Sequence, residues 1–154
     1  MLTTCMLERI TSLDDPRLRV LKDDPVRPHI PAEMRVNDRG TIFLWTDHDE
    51  IKAAVCVMFC DHVPESEEDM FTAAMDKSVA VAYTIWSYSA GAARELIFAV
   101  RDLVKDTASE LVTLSPQTEM AHRFHIKNGA YLIRENATTW NFEYSLSSST
   151  SSTS

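Results

Sequence analysis

The chain has 154 residues, 45% of them hydrophobic and 25% charged, which is enough apolar content for one globular domain with a core of its own. A formal charge of -8 argues against a surface built to track nucleic-acid phosphates, which would be basic. Three cysteines and five histidines, none at paired metal-ligand spacing with a cysteine or carboxylate, give no metal signature, although His122 and His125 are three apart.

The first residues lack a basic stretch followed by a sustained apolar run, and no window reaches the length of a membrane span. The expectation is a cytoplasmic protein without a membrane partner, with Cys56 and Cys60 as reduced packing residues in an apolar strand.

In chain order, Leu2 to Ile10 carries β-formers and reads as a strand. Asp15-Pro16 is a helix cap followed by proline at the first helical position, opening a short helix to about Lys22. Pro25, Pro28 and Pro31 then forbid regular helix and predict an ordered loop to Arg39. Thr41 to Thr46 and Ile51 to Cys60 read as an antiparallel pair joined by a polar turn over Asp47 to Glu50. After the acidic run Glu65 to Asp69, Met70 to Met75 is expected to form a helical turn or lid. Ser78 to Tyr88 is apolar on both faces and predicts a strand covered on both sides.

Ser89-Ala90-Gly91 turns the chain into an amphipathic helix from Ala92 to about Lys105, with Leu96, Ile97, Val100, Leu103 and Val104 as its apolar stripe. Leu111 to Leu114 is a short strand, and Ser115-Pro116 repeats the cap-plus-proline signal for a helix that Asn128-Gly129 ends. Two strands, Tyr131 to Arg134 and Thr138 to Tyr144, close the chain before a serine- and threonine-rich tail, Ser145 to Ser154, expected to be disordered. The order predicts a mixed sheet in one α/β domain over residues 1–144.

Two stretches carry chemistry. Tyr88, Ser89, Ala90, Gly91, Ala92 and Ala93 form a small-residue turn between a buried strand and a helix, where backbone N–H groups can cradle a pyrophosphate. An ordinary tight turn has the same composition. His125 lies near the C-terminus of its helix, where the macrodipole favours a proton on the ring and makes it a candidate acid. Ser115 is either an N-cap or a polar group of a site. Arg94, Arg123, Lys127 and Arg134 are candidate phosphate partners, and Glu50, Asp61 and Glu119 are candidate bases for an amine.

The element order around Gly91 resembles the GNAT superfamily of acyl-CoA N-acyltransferases, whose fourth strand leads through a Q/R-x-x-G-x-G/A turn into a helix. Gly91 and Ala93 match the last two signature positions, whereas Tyr88 stands where Gln or Arg is usual. Ala121, Phe124, His125 and Gly129 fall on the family pattern A-x-x-L/F-Y-x-x-x-G-F, with His125 in place of its tyrosine and Ala130 in place of its last aromatic. The resemblance, over about residues 41–144, implies a single mixed, mainly antiparallel sheet flanked by helices. It further implies acetyl-CoA or another short acyl-CoA as co-substrate without a metal, and a small-molecule or peptide amine as acceptor. Residues 88–93 with Arg94 and Arg123 would hold the CoA, and His125 would protonate the departing thiolate.

Narrower strings, TLSP and FHIKNGA, resemble the catalytic domain of malonyl-CoA decarboxylase, which shares this fold. That likeness implies a rival activity, decarboxylation of a short acyl-CoA through Ser115 and His125. A third expectation is a binding or structural module that has lost turnover, as in some small phage-encoded proteins of this superfamily. Tyr88 and Ala130 favour it, and the sequence leaves a homodimer open.

Overall fold

A computed structural model of the chain describes residues 4–146. Most of the serine- and threonine-rich tail, Ser147 to Ser154, lies outside the described residues.

The elements are β1 (Cys5–Ile10), a 3-10 helix (Pro16–Asp23), α1 (Ala32–Arg35), β2 (Gly40–Asp47), β3 (Glu50–Cys60), α2 (Glu67–Met70) and β4 (Val79–Ser87). They continue with α3 (Ala92–Val104), β5 (Glu110–Thr113), β6 (Ser115–Pro116), α4 (Glu119–Lys127), β7 (Tyr131–Glu135) and β8 (Thr139–Tyr144). One mixed, mainly antiparallel sheet takes the strands in the order β1-β2-β3-β4-β5-β8-β6, with β7 paired to β8. The described residues divide into two compact units, 4–58 with 82–100 and 59–81 with 101–146.

In the first unit β1, β2 and β3 form an antiparallel meander. The β2–β3 turn is closed by His48 and Asp49, both at positive φ (49° and 72°), so this two-residue hairpin is made without glycine. Gly40 is required for a different reason: a Cβ there would sit 2.6 Å from the Arg35 carbonyl oxygen. The proline-rich loop is not helix-free as expected. Pro31 serves as the N-cap of the single turn α1, because proline lacks only an N–H that a helix start leaves unpaired anyway.

That turn delivers Arg35 into the core beside Asp24, both side chains 0% exposed and 2.7 Å apart. Asp24 also accepts from the Val26 and Arg27 amides and from Thr84, each at 2.8 Å, and Arg35 gives Nε–H to the Ile30 carbonyl. Burial pushes the Asp24 carboxyl up, but the Arg27 amide and the Arg35 guanidinium outweigh it and hold the group below its ordinary range. Burial drives the Cys56 thiol up to about 11 despite Arg35 at 3.4 Å, so it stays protonated, as a packing residue should.

The Asp15 cap is observed: its carboxylate accepts from the Arg17 amide, although the element it starts is 3-10 rather than α. In α3 the buried stripe is Leu96, Ile97, Val100 and Val104, whereas Leu103 is 43% exposed and drops out of it. β4 is buried along both faces from Val79 to Tyr83, as its composition predicts.

In the second unit β8 pairs antiparallel with β5, β6 and β7. Here the cap expectation is corrected. Ser115-Pro116 is strand, paired with Trp140 and Thr139, and α4 starts two residues later on Thr118, whose hydroxyl accepts from the Ala121 amide at 3.2 Å. The backbone pairing offered by β8 competes with helix initiation and wins at the Ser-Pro pair. The turn expected over Met70 to Met75 is also displaced, to Glu67–Met70, because Ser66 caps the Asp69 amide.

Candidate active site

In the first unit β4 leads through Gly91 into α3. The Gly91 φ is +80°, and a Cβ added there would meet nothing within 4 Å, so the turn is open on the side where a phosphate would approach. The Ala92 amide closes the turn on the Ser89 carbonyl at 3.1 Å, and the 13-residue α3 places its positive dipole end at this point. Ala90 and Gly91 are exposed, Ser89 and Ala93 half-buried and Ala92 buried.

Tyr88 has its hydroxyl and amide both engaged within the fold. Its hydroxyl donates to Asp23 on the 3-10 helix at 2.7 Å and accepts from the Trp86 indole N–H at 3.0 Å, while its amide is given to the Lys52 carbonyl. Arg94 is exposed, its guanidinium lying over the Phe98 ring at 5.1 Å. A groove of about 330 Å³ runs beside Tyr88, with Arg19, Lys22, Asp23, Asp49 and Glu50 among its lining residues. Arg19 and Lys22 were absent from the sequence-based candidates, since nothing local signals where a 3-10 helix will dock.

The second unit holds Ser115 and His125. His125 is 6% exposed and packed among rings, with Phe142, Phe124 and Tyr144 centroids at 5.1, 5.2 and 5.7 Å. Its Nδ1 is 2.7 Å from the Tyr144 hydroxyl. The macrodipole expectation is overturned: burial pushes the imidazole down to about 4, so the ring is neutral at physiological pH. Burial also holds the Tyr144 hydroxyl protonated. The neutral ring carries one N–H, on either Nδ1 or Nε2, and Tyr144 can accept from Nδ1 in the first case or donate to it in the second.

Ser115 is 3% exposed, and its hydroxyl is 2.7 Å from that of Thr113. Among the described residues Ser115 and His125 are not hydrogen-bonded to each other, since their side chains pair with Thr113 and Tyr144. Tyr144 and Thr113 were missed in the sequence because both lie in strands, where an apolar environment hides polar tips.

Arg123 is exposed and ion-paired with Glu119 at 2.9 Å, one turn away on α4. Arg134 is committed to the Val63 carbonyl at 2.7 Å and to Asn141 at 3.2 Å. Asp61 is a poor base, because the Met75 amide and then His62 hold its carboxyl below the ordinary range. Among the described residues no three His, Cys, Asp or Glu side chains gather as a metal site needs, and no helix is long and apolar enough to cross a membrane.

The neutral His125 has a measurable consequence. An unfolded ring titrates near 6.5 and the folded one at about 4, so between these values the unfolded chain binds the extra proton. Stability present above pH 6.5 is therefore lost as pH falls towards 4, by about 3 kcal/mol in total. Denaturant midpoints at pH 7 and pH 4.5 should show this loss, and His125→Gln should remove most of the difference.

No family model and no curated protein matches the sequence. Solved structures do. Malonyl-CoA decarboxylase from Rhodopseudomonas palustris superposes with a TM-score of 0.70 at 16% identity over 93% of this chain and 60% of its own. The enzyme of that name from Agrobacterium vitis gives 0.62 at 21% identity over 79% and 35%. A GNAT family acetyltransferase from Elizabethkingia anophelis, solved with acetyl-CoA bound, gives 0.58 at 12% identity over 91% and 95%. This chain thus spans about a third to three fifths of the decarboxylases and nearly all of the acetyltransferase. At such identities the likeness establishes the fold: the chain has the GNAT acyltransferase fold.

Proposed function

We propose that this protein is an acyl-CoA-dependent acyltransferase that moves an acetyl group from acetyl-CoA to an amine. The observation that carries this is the open Gly91 turn at the head of α3, with φ at +80° and no atom within 4 Å of a would-be Cβ. Amides of that turn, with Arg94 swung from Phe98, hold the pyrophosphate. Other amides near the end of β4 polarise the thioester carbonyl, the Tyr88 amide being already taken by Lys52. Tyr88 itself contributes to the shape of the turn rather than to phosphate charge, since its hydroxyl belongs to Asp23.

His125 acts as a hydrogen-bond donor to negative charge developing on the departing sulfur. In this reading Tyr144 donates to Nδ1, which leaves the single proton of a ring neutral down to about 4 on Nε2, too weak an acid to be handed to a thiolate but able to donate a hydrogen bond to it. His125→Ala is expected to lower turnover by roughly 10- to 100-fold. Affinity for acetyl-CoA should stay within about twofold, the pattern of a group that acts mainly in the transition state. Thiol release with a panel of primary amines, alongside acetyl-CoA binding, measures both, and an unchanged rate would reduce His125 to packing.

A second reading, decarboxylation of a malonyl-type acyl-CoA, is favoured by the release of Ser115 from the capping role that would have explained it. Carbon dioxide released from malonyl-CoA with no amine present would support it over acyl transfer.

A further inference from the structure

A neutral imidazole has one N–H and one bare lone pair, so it can donate to a single carboxylate. His62 has a carboxylate oxygen on each nitrogen, Asp61 Oδ1 at 2.6 Å from Nδ1 and Asp69 Oδ1 at 2.8 Å from Nε2. Only the imidazolium donates to both. In the neutral ring one nitrogen lone pair would point at a carboxylate oxygen.

The carboxylates it joins are themselves anchors. The second oxygen of Asp61 accepts the Met75 amide at 2.6 Å, and that of Asp69 accepts the Glu65 amide at 3.0 Å. The charged ring therefore fastens the start, middle and end of residues 61–75 to one another. Beneath it, the carbonyls of Val63, Pro64 and Glu65 accept from Arg134, Asn141 and Thr139 at 2.7, 2.9 and 2.6 Å. Asn141 is 0% exposed and continues to the Thr113 carbonyl at 2.8 Å, and the Thr113 hydroxyl meets Ser115. The segment thus lies two hydrogen-bonded steps from the polar end of β5 and β6.

We propose that residues 61–75 are a strap latched by protonated His62 between Asp61 and Asp69, and that the strap loosens around Glu65 and Met75 when His62 loses its proton, while Arg134, Asn141 and Thr139 keep its middle in place. The charged groups facing the ring are Asp61 at the end of β3 and Asp69 on α2. The Arg134 charge on β7 also acts on Asp69, favouring its ionised form. Hydrogen bonds from the ring, first to Asp61 and then to Asp69, raise the imidazole above its ordinary 6.5. A raised folded value means the latch is fully present below pH 6.5 and is lost as pH climbs through that raised value.

Proton NMR titration of His62 in the full chain, with amide hydrogen exchange at Glu65 and Met75, tests the latch. The ring should titrate above 6.5. Between pH 6 and 9, after correction for base-catalysed exchange, protection at Glu65 and Met75 should fall by roughly tenfold for each unit the ring is raised. Core amides of β3 should not follow. His62→Gln should leave both amides weakly protected and insensitive to pH. A titration midpoint at or below 6.5, or the same pH dependence in the native chain and in His62→Gln, would overturn the proposal.

Discussion

Replacing Arg35 with alanine is expected to cost about 3–5 kcal/mol of folding stability. The pair it leaves is 0% exposed on both sides, so Asp24 would keep a charge without its cation and without water. The Ile30 carbonyl loses its donor in the same step. A domain of this size has roughly 5–15 kcal/mol in hand, so the variant should be close to unfolding at moderate temperature. Asp24→Ala should cost as much or more, because Asp24 also takes the Val26 and Arg27 amides and the Thr84 hydroxyl. Denaturant melts followed by tryptophan fluorescence give both numbers, and losses below 1 kcal/mol would show that the loop is held by something else.

Gly91→Asp should weaken acetyl-CoA binding by about 100-fold or more while leaving the fold standing. The position is open, so no side chain is displaced, and aspartate tolerates positive φ better than most residues. Folding should lose only about 1 kcal/mol. A carboxylate placed where a pyrophosphate would lie repels it by a few kcal/mol at the effective dielectric of a protein surface. Gly91→Ala separates the effects, since it carries the same backbone cost without the charge. Equal loss in both variants would mean that backbone shape, and not charge, governs the site.

Much of the architecture was legible because it is written in periodicity. β4 has a run from Val79 to Tyr83 that only a doubly covered strand can bury, and the Leu96, Ile97, Val100, Val104 stripe of α3 has helical spacing. What escaped was set by distant partners. Ser115-Pro116 carries a strong cap signal, yet β8 offered Trp140 and Thr139 as backbone partners and took it into the sheet. Arg35 sits in a proline-rich stretch that reads as an ordered loop, and its partners Asp24 and Cys56 are 11 and 21 residues away. For His125 the helix end pointed to a charged ring, but burial among Phe142, Phe124 and Tyr144 keeps it neutral.

Of the candidate site, the shape of the turn was legible. Gly91 and Ala93 marked the turn, and the structure adds that its glycine has the left-handed φ the turn uses. Tyr88 stood out as a departure from the family pattern, and the structure ties its hydroxyl to Asp23, a partner 65 residues away that no local signal announces. Arg123 illustrates the opposite case, a cation whose charge is spent on Glu119 one helical turn away.

Equilibrium dialysis of the full chain against labelled acetyl-CoA tests the central claim most directly. Saturable binding at one site per chain is expected, lost in Gly91→Asp and retained in His125→Ala. Absence of binding by the native chain at millimolar acetyl-CoA would contradict it, leaving a GNAT fold that does not use acyl-CoA.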